Sequence, residues 1–174
     1  MKKRTAKLVA LICTMALALT CIFALVACGG DGGKSTGKGT KYTFTETNVE
    51  MTMNGEAMDS SSTAGTKNMY DTMYKDSTIT VSDSKIVWKM SDQESTMSVK
   101  KDGEKYKLSG DYVENIKKGL SAMNTPGADV TYDFDMYGLK TEGGFQIVIA
   151  TSTTTAAAQG QTYTSSTTIT LNFA

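Results

Sequence analysis

Polar and apolar positions follow two regimes along this chain. Positions 8–27 carry no charge at all, whereas from Lys41 onward apolar residues recur mostly at every second position. A period of two belongs to an extended strand, whose successive side chains face opposite sides of a sheet. Val49, Met51 and Met53 alternate with Glu50, Thr52 and Asn54 and predict a first strand. Tyr42 and Phe44 have the opposite parity, so a bulge or bend is expected between Phe44 and Val49. Residues 55–65 are polar and rich in Gly and Ser, which predicts a loop. Met69, Tyr70, Met73 and Tyr74 return at helical spacing and predict a short helix over 66–74.

A meander follows. Ile79 and Val81 lead into the turn Ser82-Asp83-Ser84, then Ile86, Trp88 and Met90 run to a polar turn over 91–94. Met97 and Val99 precede Asp102-Gly103, whose glycine readily takes the positive φ of a tight hairpin, and Tyr106 and Leu108 complete four short strands. Asp111 and Glu114 have the spacing of a capping box ahead of Val113, Ile116, Leu120 and Met123, an amphipathic helix over 111–123. Pro126-Gly127 breaks the chain. Tyr132, Phe134 and Met136 alternate with Asp133 and Asp135, and Phe145, Ile147 and Ile149 mark another strand. After a loop over 156–161, Ile169, Leu171 and Phe173 close the chain, with Thr168, Thr170 and Asn172 on the far face. The predicted class is mainly β: a single antiparallel up-and-down barrel or strongly curled sheet of about eight strands with one or two short helices. Such sheets tend to close because closure removes unpaired edges, and an eight-strand interior is either filled by side chains or holds one small ligand.

The uncharged run that precedes the domain has its own chemistry. Lys2, Lys3, Arg4 and Lys7 form a cationic start, and Leu25-Val26-Ala27-Cys28 ends the run just before Gly29 and Gly30. Positions 8–27 also suffice for a spanning helix, at ~1.5 Å per residue across ~30 Å. The terminal cysteine, followed by a polar Gly/Ser/Thr/Lys stretch, favours cleavage instead. The pattern resembles the lipobox signal peptide of bacterial membrane lipoproteins. That resemblance implies that residues 1–27 are a signal peptide cut between Ala27 and Cys28. It further implies that Cys28 carries diacylglycerol and an N-acyl chain, and that residues 28–40 tether a domain over 41–174 to the extracytoplasmic membrane face. Gly29 in place of aspartate implies the outer membrane in a two-membrane cell. Within the tether, Gly33-Lys34-Ser35 falls short of a phosphate-binding loop, because Cys28 stands where its first glycine belongs. The domain itself is similar, in topology and in its rhythm of strands and turns, to the small lipocalin-like domains found on bacterial lipoproteins.

Cleavage would leave 147 residues, the size of one domain and too short for a two-lobed solute-binding protein. It also removes four basic residues, leaving 14 Lys+Arg against 18 Asp+Glu, a net charge of about −4. That balance disfavours nucleic acid and anionic lipid headgroups as partners. The chain has no histidine, and its only arginine is Arg4. The remnant therefore lacks the usual proton-transfer and metal-ligating side chain and the bidentate grip on phosphate. Cys13 and Cys21 leave with the leader and Cys28 is acylated, so neither a disulfide nor a thiolate nucleophile remains.

The chemistry left is thin. The thioethers of Met51, Met53, Met58, Met69 and Met73 suit Cu(I), but methionine also fills irregular core gaps. Asp133 and Asp135, with Asp129 nearby, offer oxygens to Ca²⁺, which wants ~6–8 of them and a wrapping loop. Ser109 with Lys105 or Lys107 needs a desolvated lysine, and no spacing among Glu46, Glu50 and Asp135 selects a carboxylate pair. The expectation is no enzyme, no metal and no cofactor beyond the acyl groups on Cys28. Thr/Ser-rich 151–168 reads as the outer face of two strands. Met51, Met53, Trp88, Met90, Tyr106, Tyr132, Phe134 and Phe145 form the candidate ligand-lining set, in a pocket between the sheet and one helix, and the same residues equally suit a filled core. The expected function is to bind a small apolar ligand at the cell surface or periplasmic face. The alternative is an envelope module meeting another protein or a cell-wall component through its strand faces or loops.

Overall fold

The period-two pattern becomes nine antiparallel strands and two helices in the computed structural model, which describes residues 39–122, 130–156 and 162–174. In chain order these are β1 (Thr40–Met53), β2 (Glu56–Ala57), α1 (Ser60–Tyr74), β3 (Thr78–Val81), β4 (Lys85–Met90) and β5 (Gln93–Asp102). β6 (Lys105–Ser109), α2 (Asp111–Ala122), β7 (Val130–Lys140), β8 (Phe145–Ala156) and β9 (Thr162–Phe173) follow. From β3 onward each strand pairs with the next, and β1 pairs with both β3 and β9. The sheet is thus a closed eight-strand barrel, with two-residue β2 added to β1. The leader, Cys28 and most of the tether, as well as Met123 and Pro126-Gly127, lie outside the described residues. Thr40, expected in the tether, instead opens β1 opposite Val81.

The parity change in β1 is a bulge. Phe44 stands opposite Phe173, but Glu46 is already opposite Asn172, so Thr45 is extra and the inward positions shift from Tyr42 and Phe44 to Thr47, Val49 and Met51. The segment expected to be a loop is ordered differently. Asn54 and Gly55, at φ 51° and 83°, make a two-residue turn of the mirror-image kind that suits strand twist, and the chain returns as β2. Helix α1 then begins at Ser60, six residues before the predicted start, because Asp59 caps it. The Asp59 carboxylate accepts from the Ser62 amide at 3.0 Å and the Ser61 hydroxyl at 2.6 Å, and these bonds hold it below the ordinary carboxylate value. The turn predicted over 91–94 is only Ser91-Asp92, and Gln93 and Glu94 belong to β5.

Two slits in the barrel are closed by the helices. β1 pairs with β3 only through Thr43, so the next stretch of β1 lacks a neighbour on that side, and α1 packs there and inserts Tyr70 and Tyr74. The Thr47 amide in this gap donates to the Asp71 carboxylate at 2.7 Å, and Lys67 donates to the other carboxylate oxygen at 2.6 Å. β6 and β7 likewise part beyond Lys107 and Tyr137, and α2 covers that slit with Tyr112, Val113, Ile116 and Leu120. Trp88 sits where the two helices meet the barrel. Its ring lies 5.1 Å from Tyr74, 5.6 Å from Tyr112 and 6.0 Å edge-on from Phe173. Burial pushes the phenols of Tyr70, Tyr74 and Tyr112 well above the ordinary tyrosine value, so all three stay neutral. The middle of the barrel is filled.

Asp71 yields a test of the first slit. Burial alone raises its carboxyl, but the hydrogen bonds from Lys67 and Thr47 outweigh this and hold it below its ordinary value near 3.8. A depressed folded-state value stabilises the fold above the ordinary value, and that contribution is lost as the pH falls through the lower one. Asp71→Ala should cost ~1–3 kcal/mol near neutrality by orphaning the Thr47 amide. In urea titrations the gap to the parent should narrow as the pH is taken below the ordinary carboxylate range. A variant as stable as the parent at neutral pH would remove Asp71 from the account.

Candidate ligand site at the mouth of the barrel

In an up-and-down barrel, alternate turns gather at one end. Here the starts of β1, β6 and β8 meet the ends of β3 and β7 around a cavity of about 500 Å³. The cavity falls within the ~300–1,000 Å³ range of small-molecule sites. Its floor is aromatic: the Phe145 ring lies 6.4 Å from Tyr42, nearly parallel, and 5.7 Å from Tyr106. Val81 supplies an aliphatic wall, and the rim carries Thr40, Ser82, Asp83 and Lys140. The rim thus holds one acid, one base and hydroxyls above an aromatic base of two tyrosines and a phenylalanine.

Local sequence explains each placement. Gly39 passes so close to β3 that a Cβ would sit 2.8 Å from the Val81 carbonyl oxygen, so only glycine lets β1 start at this rim. The β3–β4 turn is held by Ser82, whose amide and hydroxyl each donate to the Lys85 carbonyl at 2.9 Å. Tyr106 stands opposite Gly138 on β7, and Phe145 opposite Lys140. The missing side chain at Gly138 is the space the Phe145 ring occupies.

Of the eight residues anticipated as lining a pocket, Tyr106 and Phe145 are at this mouth. Phe134 lines a smaller cavity of about 300 Å³ between α2 and the β6–β7 slit, which is where a pocket between sheet and helix was expected. Trp88 and Met51 are core instead: both are buried, because the helices fill the barrel where a ligand was imagined. Met53, Met90 and Tyr132 are half-buried and line neither cavity. Tyr42 and the rim residues were not anticipated as site residues.

The other candidates come apart. Lys105 rests 3.9 Å over the Tyr137 ring and Lys107 reaches Asp102 at 3.6 Å, both on the exposed face with Ser109. Glu50, Thr168, Ala150 and Asp135 are in register on β1, β9, β8 and β7. Three strand spacings, ~14 Å, then separate Glu50 from Asp135, beyond the reach of a glycosidase pair. Met51 is buried and Met73 exposed, so the methionines do not share one surface. Asp133 and Asp135 face outward, Asp133 accepting from Ser152 at 3.5 Å, and Asp129 lies outside the described residues. Among the described residues no group of three acidic, histidine or cysteine side chains is placed to hold a metal ion. The Thr/Ser-rich hairpin is not wholly an outer face. Thr151 and Thr153 continue the inward parity of Ile147 and Ile149, and Thr153 is buried. No described helix is long and apolar enough to cross a membrane.

Comparison of the chain with protein-family models, with curated proteins and with solved structures finds no match.

Proposed function

We propose that this chain is a lipid-anchored, non-enzymatic binding module of the extracytoplasmic membrane face, taking a small apolar ligand at the barrel mouth. The observation that carries the reading is the roughly 500 Å³ cavity floored by Tyr42, Tyr106 and Phe145. Its rings offer stacking surface, the phenols of Tyr42 and Tyr106 add hydroxyls to the floor, and the acid, base and remaining hydroxyls at the rim orient a polar end. The anchor rests on Cys28 at the end of the uncharged run. From Cys28 to the rim at Thr40 the chain spans at most ~40 Å, so the mouth opens close to the membrane surface.

A neutral fluorescent hydrophobe titrated into the protein tests the pocket, and incorporation of labelled palmitate tests the anchor. Tyr42→Ala and Tyr106→Ala should each weaken the probe by about tenfold, the loss of one ring face at ~1.4 kcal/mol. Cys28→Ala should take up no label. Unchanged affinity in both tyrosine variants would end the pocket reading, and label retained without Cys28 would end the anchor.

A further inference from the structure

The slit beside α2 has a different chemistry from the mouth. Its cavity of about 300 Å³ has Leu108, Val113 and Met136 beneath it and Phe134 along the β7 wall. Three lysines converge on it from three elements: Lys100 from β5, Lys107 from β6 and Lys117 from α2. We propose that this slit binds an anionic amphiphile, a carboxylate or phosphate monoester on an aliphatic or aromatic body.

Lys100 and Lys107 are direct cross-strand partners on the exposed face. Like charges so placed repel and destabilise the pair. The Asp102 carboxylate bridged to Lys107 is 3.6 Å away, and both side chains are 68% exposed, so solvent screens most of that attraction. Lys117 pairs with Glu114 at 3.2 Å on its own helix, which steers its ammonium without burying it. An anion between Lys100 and Lys107, on the cavity that Lys117 also lines, relieves the repulsion of that cross-strand pair. Residues 41–174 carry 12 Lys against 17 Asp+Glu, whereas 100–118 holds six lysines against Asp102, Glu104, Asp111 and Glu114, a local excess of positive charge. Asp135, on the β7 wall, repels the charged end. The head therefore lies toward β5 and α2, and the body over Phe134.

The cavity lies where β6 and β7 stop pairing after Lys107 and Tyr137 and α2, packed on β5, β6 and β7, bridges the gap. Leu108, Val113 and Met136 below are buried, so the half-buried Phe134 ring offers the apolar surface for the body. Nothing in the mouth reading requires this site, and the two share no lining residue.

Photo-crosslinking of the full-length protein in zwitterionic bilayers tests the proposal, using dodecanoate that carries a diazirine on its chain and mapping the adducts by mass spectrometry. Label should fall on β6, α2 and β7. Unlabelled dodecanoate or dodecyl phosphate should compete, and dodecanol should compete roughly tenfold less well. The double variant Lys100→Gln/Lys107→Gln should lose about tenfold in labelling, while its melting temperature stays equal or rises because the repulsion is gone. Label confined to Tyr42, Tyr106 and Phe145 would overturn the proposal and leave the mouth site standing. Equal competition by dodecanol, or unchanged labelling of the lysine variant, would also overturn it.

Discussion

Trp88→Ala should cost ~3–5 kcal/mol of unfolding free energy, the range for emptying a large aromatic site in a core. For a domain of this size that lowers the melting temperature by roughly 8–16 °C. The reason is position. Trp88 is fully buried and touches a ring from each helix, Tyr74 and Tyr112, and one from the last strand, Phe173. The cavity left behind would separate both slit-closing helices from the barrel at once. Its indole N–H has no hydrogen-bond partner among the described residues, so Trp88→Phe forfeits only packing and should lose well under half as much. Circular dichroism across a urea series reads both variants, since the reporter tryptophan is gone. A Trp88→Ala loss below about 1 kcal/mol would mean that the rings around it repack freely, against a filled barrel centre.

Gly138→Ala should lose ~1–3 kcal/mol and also damage the mouth. A Cβ there would run into the Phe145 ring and sit 3.4 Å from Tyr106 Cβ, so it displaces one wall of the cavity toward the others. Probe affinity at the mouth should fall together with stability. Gly65→Ala is the matched control: it lies inside α1 with open space where the methyl would go, and should gain up to ~1 kcal/mol from helix propensity. If Gly138→Ala is as stable as the parent and binds the probe equally, Phe145 does not depend on that glycine.

The strands and the bulge were legible because they depend on neighbours in sequence. Val49, Met51 and Met53 show their parity whatever lies beside them, and the conflict with Tyr42 and Phe44 is itself the bulge at Thr45. The start of α1 was hidden for the opposite reason. Ser60 to Gly65 has no apolar stripe, and its helix is held by the Asp59 cap and by Tyr70 and Tyr74 entering the barrel further on. Asn54-Gly55 was a readable hairpin signal that its polar surroundings masked. The mouth residues carried no motif. Tyr42, Val81, Tyr106 and Phe145 look like ordinary strand positions until closure brings four separate strand ends together.

By itself, the sequence determined the class of the fold, the histidine-free and arginine-free chemistry of residues 41–174, and the uncharged run ending at Cys28. Alternation and composition are properties of each segment, so they survive any arrangement of the segments. Only the tertiary structure decided that the helices fill the barrel's middle, that a cavity of about 500 Å³ lies at one end, and that three lysines line a second cavity beside α2. Those outcomes depend on where neighbouring strands stop pairing and on which turns share a rim, and both follow from register and closure around the whole barrel rather than from any one stretch of chain.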